Sequence, residues 1–285
     1  MVTQPATLCF CVGAPKASTT WLFNFLSKHP ECHVRSIKEL HFFDGVQNGT
    51  ALARAARLQR LLNGAMTAGK NQLSPRQMSD TQDWIGVLKS GDETAYLAYL
   101  QRDLGVRRLM ADVTPSYSLL PVDRLRRMAN LLPDVRFVYL MRDPIARLWS
   151  HVRMSARRQD GDFSTRAAQV FDDVVTGKQA DVTARGDYAS VLARLDAAVD
   201  PGRVLVMFQE VLMTVPGVQR LCSFLSIAHL PADFSRRLHV GRDLAMTDDQ
   251  RARALAYLAP QYEFVESRFG TLPEAWLRNM NEGVA

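Results

Sequence analysis

The stretch Leu8-Cys9-Phe10-Cys11-Val12-Gly13-Ala14-Pro15-Lys16-Ala17-Ser18-Thr19-Thr20-Trp21-Leu22-Phe23-Asn24-Phe25-Leu26 decides how this chain folds. Leu8 to Val12 is apolar on both faces, as a central strand of a parallel sheet must be, and lacks the alternation of a half-solvated strand. Trp21 to Leu26 carries the apolar period of a helix. Between them lies a turn of small and hydroxyl-bearing residues, so the order is strand, polar turn, helix. Such a turn points successive backbone N–H groups at one spot, and the helix N-terminus adds positive potential, which suits a phosphate. Lys16, Ser18, Thr19 and Thr20 supply further donors. The same composition also serves as an ordinary helix N-cap, so the turn alone leaves both readings open. Aligned on Gly13, the phosphate loop G-x-x-x-x-G-K-[ST] places its second glycine at Ser18 and its lysine at Thr19, whereas this chain's lysine comes earlier, at Lys16. An ATP or GTP hydrolase is therefore a poor fit.

Further strands follow the same pattern. Cys32 to Arg35 is a short extended piece, Arg108 to Val113 and Arg136 to Met141 are apolar runs, and Val204 to Phe208 is another. Helices are expected over Val122 to Leu131 and from Ile145 to Ala156, the latter behind a proline suited to a first helical turn. Strands that alternate with helices and are apolar on both faces predict an α/β fold, with a central parallel sheet in a P-loop-like three-layer arrangement. From Thr50 to Asp103 the pattern is helical and polar, with helices over Ala51 to Leu62 and near Thr94 to Arg102, which marks a helical insertion. No repeat or linker divides the chain, so residues 1–285 are expected to form one domain. In such sheets ligands sit beyond the carboxyl ends of the strands, where the polar clusters of this chain fall.

The 285 residues include 35 Lys and Arg against 29 Asp and Glu, a formal net charge of +6, with 47% hydrophobic and 22% charged residues. That composition is globular and excludes disorder, collagen and coiled coil. No apolar run approaches the roughly 20 residues of a membrane span, and Leu8 to Gly13 is too short for a signal segment. Cys9, Cys11, Cys32 and Cys222 are too sparse for a disulfide framework and fit a reducing cytoplasm. The positive balance fits either a nucleic-acid surface or one pocket for a small polyanion. Arginine far outnumbers lysine and is scattered in pairs such as Arg107 with Arg108 and Arg157 with Arg158, a pattern of solvated helix faces rather than of a nucleic-acid stripe.

Four ordered motifs carry a resemblance: Pro15-Lys16-Ala17-Ser18-Thr19-Thr20, Lys38-Glu39-Leu40-His41-Phe42-Phe43, Thr114-Pro115-Ser116-Tyr117, and Arg142-Asp143-Pro144 with Ser150 eight positions after Arg142. In order and spacing they resemble the PAPS-dependent sulfotransferases, nearest the branch that includes heparan sulfate sulfotransferases and bacterial carbohydrate and small-molecule sulfotransferases. The resemblance implies that PAPS (3′-phosphoadenosine 5′-phosphosulfate) is the co-substrate, with Lys16, Ala17, Ser18, Thr19, Thr20 and Trp21 around its 5′-phosphosulfate side. It implies Arg142 and Ser150 on the 3′-phosphate, with Arg242 in the late basic loop. Glu39 is implied as catalytic base, Lys16 at the leaving oxygen, and His41 beside them, with Lys38 and Asp44 as neighbours. A hydroxylated small-molecule, lipid or carbohydrate acceptor is implied, with no metal and no nucleic acid. Two departures stand out: family members usually have glycine where Ser18 stands, and E-K-T-P is here Asp112-Val113-Thr114-Pro115.

Those roles suit the chemistry. Sulfuryl transfer is an in-line displacement in which the acceptor hydroxyl loses a proton while the leaving phosphate gains charge. A carboxylate near the nucleophile and a lysine near the leaving oxygen meet both needs. Other readings of the same residues are weighed against this one. A kinase-like phosphoryl transferase or a non-catalytic polyanion-binding module would use the same basic turn. His41 alone would be a packed histidine beside Phe42 and Phe43, and Glu39 alone a solvated charge. Arg147 is as readily a surface salt-bridge partner as a ligand contact and is left out of the site. His29, Cys32 and His33 have metal-like spacing, but Pro30 breaks any helix that would align them. His151 should point about 100° away from Ser150, which leaves Glu39 the better base. Tyr188 and Trp276 read as structural or as lining for the acceptor.

Overall fold

The computed structural model describes residues 6–67, 73–234 and 244–281. Strand β1 (Thr7–Gly13) is buried at every residue, as its unbroken apolar run requires. It runs into α1 (Thr19–Lys28), then β2 (Cys32–Val34) and α2 (Phe42–Gln47). Three helices follow: α3 (Ala51–Thr67), α4 (Pro75–Ser90) and α5 (Glu93–Gln101). Next come β3 (Leu109–Val113), a 3-10 turn over Pro115–Leu119, α6 (Val122–Ala129), β4 (Val135–Met141), α7 (Pro144–Ala156), α8 (Phe163–Val175), α9 (Ala180–Ala184) and α10 (Tyr188–Ala198). The order closes with β5 (Val204–Phe208), α11 (Gln209–Leu212), α12 (Val215–Leu225), α13 (Asp248–Phe269) and α14 (Glu274–Asn281).

The five strands form one sheet in the order β2-β3-β1-β4-β5, and every neighbouring pair is parallel. Phe10 in β1 lies level with Asp112 in β3 and Phe137 in β4. The chain builds outward on one side of β1 with β2 and β3, then crosses to the other with β4 and β5. The direction therefore reverses at β1, and the crevice beyond its carboxyl end is where an open α/β sheet accepts a ligand. This is the α/β architecture expected from the apolar runs. The helical stretch before β3 holds three helices rather than the two expected. The extra one, α4, begins with a capping box in which Ser74 and Gln77 exchange side-chain and backbone hydrogen bonds, with Pro75 at its first turn.

What fastens α3 to α5 also fixes the segment after β2. Asp80 on α4 pairs with Arg35 and accepts hydrogen bonds from the Ser36 N–H (2.8 Å) and hydroxyl (2.6 Å). Phe42 stacks on Tyr96 with centroids 4.7 Å apart, and Trp84 meets Tyr96 edge-on at 6.1 Å. Aromatic pairs of this kind contribute about 0.5–1.5 kcal/mol beyond their burial. The loop from Lys38 to His41 is thus gripped between sheet and inserted helices. All four cysteines are free and buried. Among the described residues, no helix is long and apolar enough to cross a membrane.

Candidate active site

At the end of β1 a Cβ on Gly13 would lie 2.6 Å from the Tyr139 ring, so only glycine lets the chain pass between β4 and the turn above it. The Ala14 N–H then donates to the Leu140 carbonyl at 2.7 Å, holding the loop to β4. Lys16 (φ 73°) and Ser18 (φ 62°) take the left-handed conformation. Two non-glycine residues in that region within three positions are costly, and such strain gathers at functional sites. The left-handed Ser18 precedes α1 yet makes no side-chain cap. The N-cap reading of this turn is thereby corrected. First-turn N–H groups have no intrahelical partner, and at α1 the preceding hydroxyl does not supply one, so an anion at the loop would meet unclaimed donors.

Arg142 leaves the end of β4 and its Nη1 donates to the Lys16 carbonyl at 3.1 Å, which joins the two strand ends through one guanidinium. Its own carbonyl accepts from the hydroxyl of Tyr188, a fully buried ring. The next residue, Asp143, caps α7 by accepting from the Ala146 N–H at 2.7 Å and also accepts the Tyr262 hydroxyl at 2.8 Å. Burial pushes the Lys16 ammonium below its ordinary range, and Arg142, Arg157 and Arg158 push it further, with Glu39 pulling the other way. Burial depresses Arg142 as well, against the pull of Glu210. Cations that weaken one another in this way are stabilised by a bound anion.

Glu39 and His41 are also left-handed, at φ 62° and 55°. Glu39 pairs with Lys38 on one oxygen, and its other oxygen lies 3.5 Å from Nε2 of His41. The opposite ring nitrogen of His41 lies 2.7 Å from Asp44, which also has Arg54 at 3.8 Å. Burial works to raise the Glu39 carboxyl, but hydrogen bonds and charge from His41 and Lys38 outweigh it and hold the pKa down at about 2. Burial likewise opposes the His41 imidazolium, and hydrogen bonds to Asp44 and Glu39 overcome it and raise the pKa. At neutral pH Glu39 is an anion among cations.

The loop bearing Glu39 rests on Asp112, a carboxylate 1% exposed inside β3. Asp112 accepts hydroxyls from Thr114 (2.6 Å), Tyr96 (2.8 Å) and Tyr117 (2.9 Å). Tyr117 in turn accepts the Phe42 N–H at 3.0 Å, and Thr114 accepts the His41 N–H at 3.4 Å. Asp112, Tyr96 and Tyr117 escaped the sequence reading as site residues. The available signal was an acidic residue inside a run otherwise buried on both faces, which demands partners.

The sequence from residue 9 to 231 matches the model of the sulfotransferase family. The chain belongs to the sulfotransferase family. No curated protein matches the sequence significantly. Among solved structures, a sulfotransferase from Alicyclobacillus acidocaldarius shares 22% identity with a TM-score of 0.59, over 96% of this chain and 99% of that one. The sulfotransferase domain from the curacin biosynthetic pathway shares 20% identity with a TM-score of 0.50, over 80% and 76% of the two chains. The corresponding domain of the Synechococcus PCC 7002 olefin synthase shares 19% identity with a TM-score of 0.50, over 89% and 94%. These similarities bear out the α/β sulfotransferase fold.

Within that fold the expected residues fall as follows. Lys16, Ala17, Ser18, Thr19 and Thr20 lie together on the loop after β1, with Arg142 tied to it and Glu39 within electrostatic reach of Lys16. Trp21 stacks on Phe25 (5.5 Å) and Phe234 (6.0 Å), and its Nε1 donates to the Asp233 carbonyl. Ser150 is half-buried on α7, outside the hydrogen bonds that join the loop to Arg142. Arg242 lies outside the described residues. Arg147 requires correction: it is no surface ion pair but a guanidinium 2% exposed, because α7 packs that face beneath α9 and α13. His151 is buried too, and burial with Arg147, Arg185 and Lys16 holds its pKa down at about 3, so it is neutral.

Proposed function

We propose that the protein transfers the sulfuryl group of PAPS to an acceptor hydroxyl, giving a sulfate ester and 3′-phosphoadenosine 5′-phosphate (PAP). The observation that carries this reading is the uncapped, left-handed loop at Lys16 and Ser18, tied to Arg142 and within electrostatic reach of Glu39. The loop N–H groups and the hydroxyls of Ser18, Thr19 and Thr20 hold the 5′-phosphosulfate, and Trp21, buried against Phe25 and Phe234, braces the first turn of α1 behind them. Arg142 and Ser150 take the 3′-phosphate, and Arg242 adds to the hold on PAPS.

Glu39 removes the proton of the acceptor hydroxyl as its oxygen attacks sulfur, and the bond from sulfur to the 5′-phosphate oxygen breaks. Lys16 meets the charge that develops on that oxygen, and its lowered proton affinity makes it a better proton donor than an ordinary lysine. A carboxylate held at about 2 is a weak base while Lys38 grips it. Lys38 is drawn toward the sulfuryl oxygens on binding, and Glu39 recovers its basicity at the moment of attack. Lys38 also supplies a cation beside Glu39, where Val113 offers none. His41, ordered by Asp44, fixes the second carboxylate oxygen. No metal is called on, because loop donors and Lys16 serve the leaving group. The acceptor is a hydroxylated small molecule, lipid or carbohydrate. One domain spanning residues 1–285 performs the reaction, and four reduced, buried cysteines support a cytoplasmic setting.

Glu39→Gln tests the assignment. Turnover of PAPS with a hydroxyl acceptor should fall by about 10²–10⁴, while PAP still raises the melting temperature as it does in the unmodified protein. Retained turnover would remove Glu39 as the base, and loss of PAP stabilisation would show that the substitution damaged the nucleotide site instead.

A further inference from the structure

Behind α7, away from the loop after β1, a cavity of about 150 Å³ opens between α7, α8, α9 and α13. Its walls are mostly apolar, formed by Leu148, Val174, Val182, Leu258 and Pro260, with Arg147 and Asp187 also in the wall; the Asp187 carboxylate is taken up in capping α10, where it accepts from the Ser190 N–H and hydroxyl. The Arg147 guanidinium is 2% exposed. Among the described residues, its Nη2 reaches only the Val182 carbonyl, at 3.5 Å, and Nη1 is buried with no hydrogen-bond partner. Burial works against its charge, and the groups that act on it next most strongly are the tyrosine hydroxyls of Tyr188, Tyr139 and Tyr257 and another cation, Arg185. The chain makes room for the cation at a cost in sequence freedom, since a Cβ on Gly186 would lie 2.1 Å from Nη2. A buried charge left without an anion is among the most expensive features a fold can keep, and a structural arginine normally ends on a carboxylate or a set of carbonyls.

We propose that this cavity is a second ligand site, which binds a small carboxylate with an apolar body. The planar guanidinium fork matches a carboxylate, and a void of this size with apolar walls accommodates a benzene ring. The Thr183 and Tyr257 hydroxyls, bonded to each other at 2.6 Å, stand in the same cavity wall. An aromatic acid such as benzoate satisfies both halves of the site. The site is separate from the cations around Lys16 and does not depend on sulfuryl transfer.

The experiment is calorimetric titration of the full chain with benzoate and with benzamide, its neutral isostere. Benzoate should bind with one-to-one stoichiometry, and benzamide about tenfold or more weakly, a difference of about 1.4 kcal/mol. Leu258→Trp, which fills the cavity and leaves the guanidinium in place, should abolish benzoate binding, while Lys16→Met should leave it unchanged. Arg147→Met, where it folds, should erase the preference for benzoate over benzamide. No binding of benzoate would show a cavity that holds water alone and would overturn the proposal. So would equal affinity for the two probes, or binding that survives Leu258→Trp and disappears in Lys16→Met.

Discussion

At the scale of single residues, Ser18 shows how a departure from a family pattern becomes a physical quantity. Its φ of 62° is the conformation that glycine adopts freely and other L-residues adopt at about 1–2 kcal/mol. Ser18→Gly returns part of that cost to a more flexible unfolded chain, so we expect a net stabilisation of about 0.5–1 kcal/mol, a rise in Tm of about 2 °C. A fall in Tm on thermal melting would mean that the hydroxyl holds the loop in a way the structure does not display. Asp112 yields a pH dependence. Burial pushes its pKa up to about 6 against the bonds from Thr114, Tyr96 and Tyr117. The folded state therefore binds the proton more tightly than the unfolded chain, whose aspartates titrate near 3.9. Stability conferred by the protonated form is full below that value and declines as pH rises to about 6, by about 3 kcal/mol in all. Denaturant melts of the unmodified protein and Asp112→Asn from pH 4 to 7 should differ in slope within that window and run parallel above it.

At the scale of elements, the strands were legible and the loops between them less so. Leu8 to Val12 announces itself because burial on both faces permits no polar residue, and Val204 to Phe208, which alternates buried and half-buried positions at the sheet edge, because its run is equally apolar; both lie in strands of the sheet. The order β2-β3-β1-β4-β5 is not written in any segment, since it depends on which strands pair after the crossovers form. Helix α2 was invisible because His41, in the left-handed region, begins a helix of only 6 residues, too short for a periodic signal. Of the site, Lys16, Arg142 and Glu39 were legible through their motifs, whereas burial of Arg147 was not, since a charged residue one turn into a helix carries no mark of the helices that will cover it. The inserted helices give a test at this scale. Trp84 is 1% exposed and packs on Phe42 and Tyr96, the rings that seat the Glu39 loop. Trp84→Ala should cost about 3–5 kcal/mol in denaturant unfolding. It should also lower kcat more than it weakens PAP binding, because the loop after β1 does not rest on Trp84. Equal losses would place the insertion beneath the nucleotide as well.

At the scale of the whole molecule, the net charge of +6 is unevenly spent. Many arginines end on surface carboxylates, as in Arg126 with Asp123, Arg253 with Asp172, Arg268 with Asp196 and Arg278 with Glu274. Exposed pairs of this kind contribute about 0–1 kcal/mol each and cancel in the far field. Beyond the carboxyl end of β1 the balance turns positive, since Arg142, Arg157 and Arg158 all press on Lys16, opposed by Glu39, while Glu210 acts on Arg142. Arg157 and Arg158 are exposed, which makes them a means of drawing in a polyanion rather than part of the packed site. A charge-neutralising double substitution, Arg157→Gln with Arg158→Gln, should therefore leave stability within about 0.5 kcal/mol, while weakening PAP by about three- to tenfold at low salt. It should also flatten the dependence of PAP affinity on ionic strength, because screening over about 10 Å at 0.1 M salt acts on these solvent-facing charges first. The same variant should relieve Lys16 and move its proton affinity back toward that of an ordinary lysine, visible as an upward shift of the alkaline limb of PAP binding. Unchanged affinity across salt concentrations in both proteins would mean that the basic excess does not serve the nucleotide, and the arginine pair would then be surface charge alone.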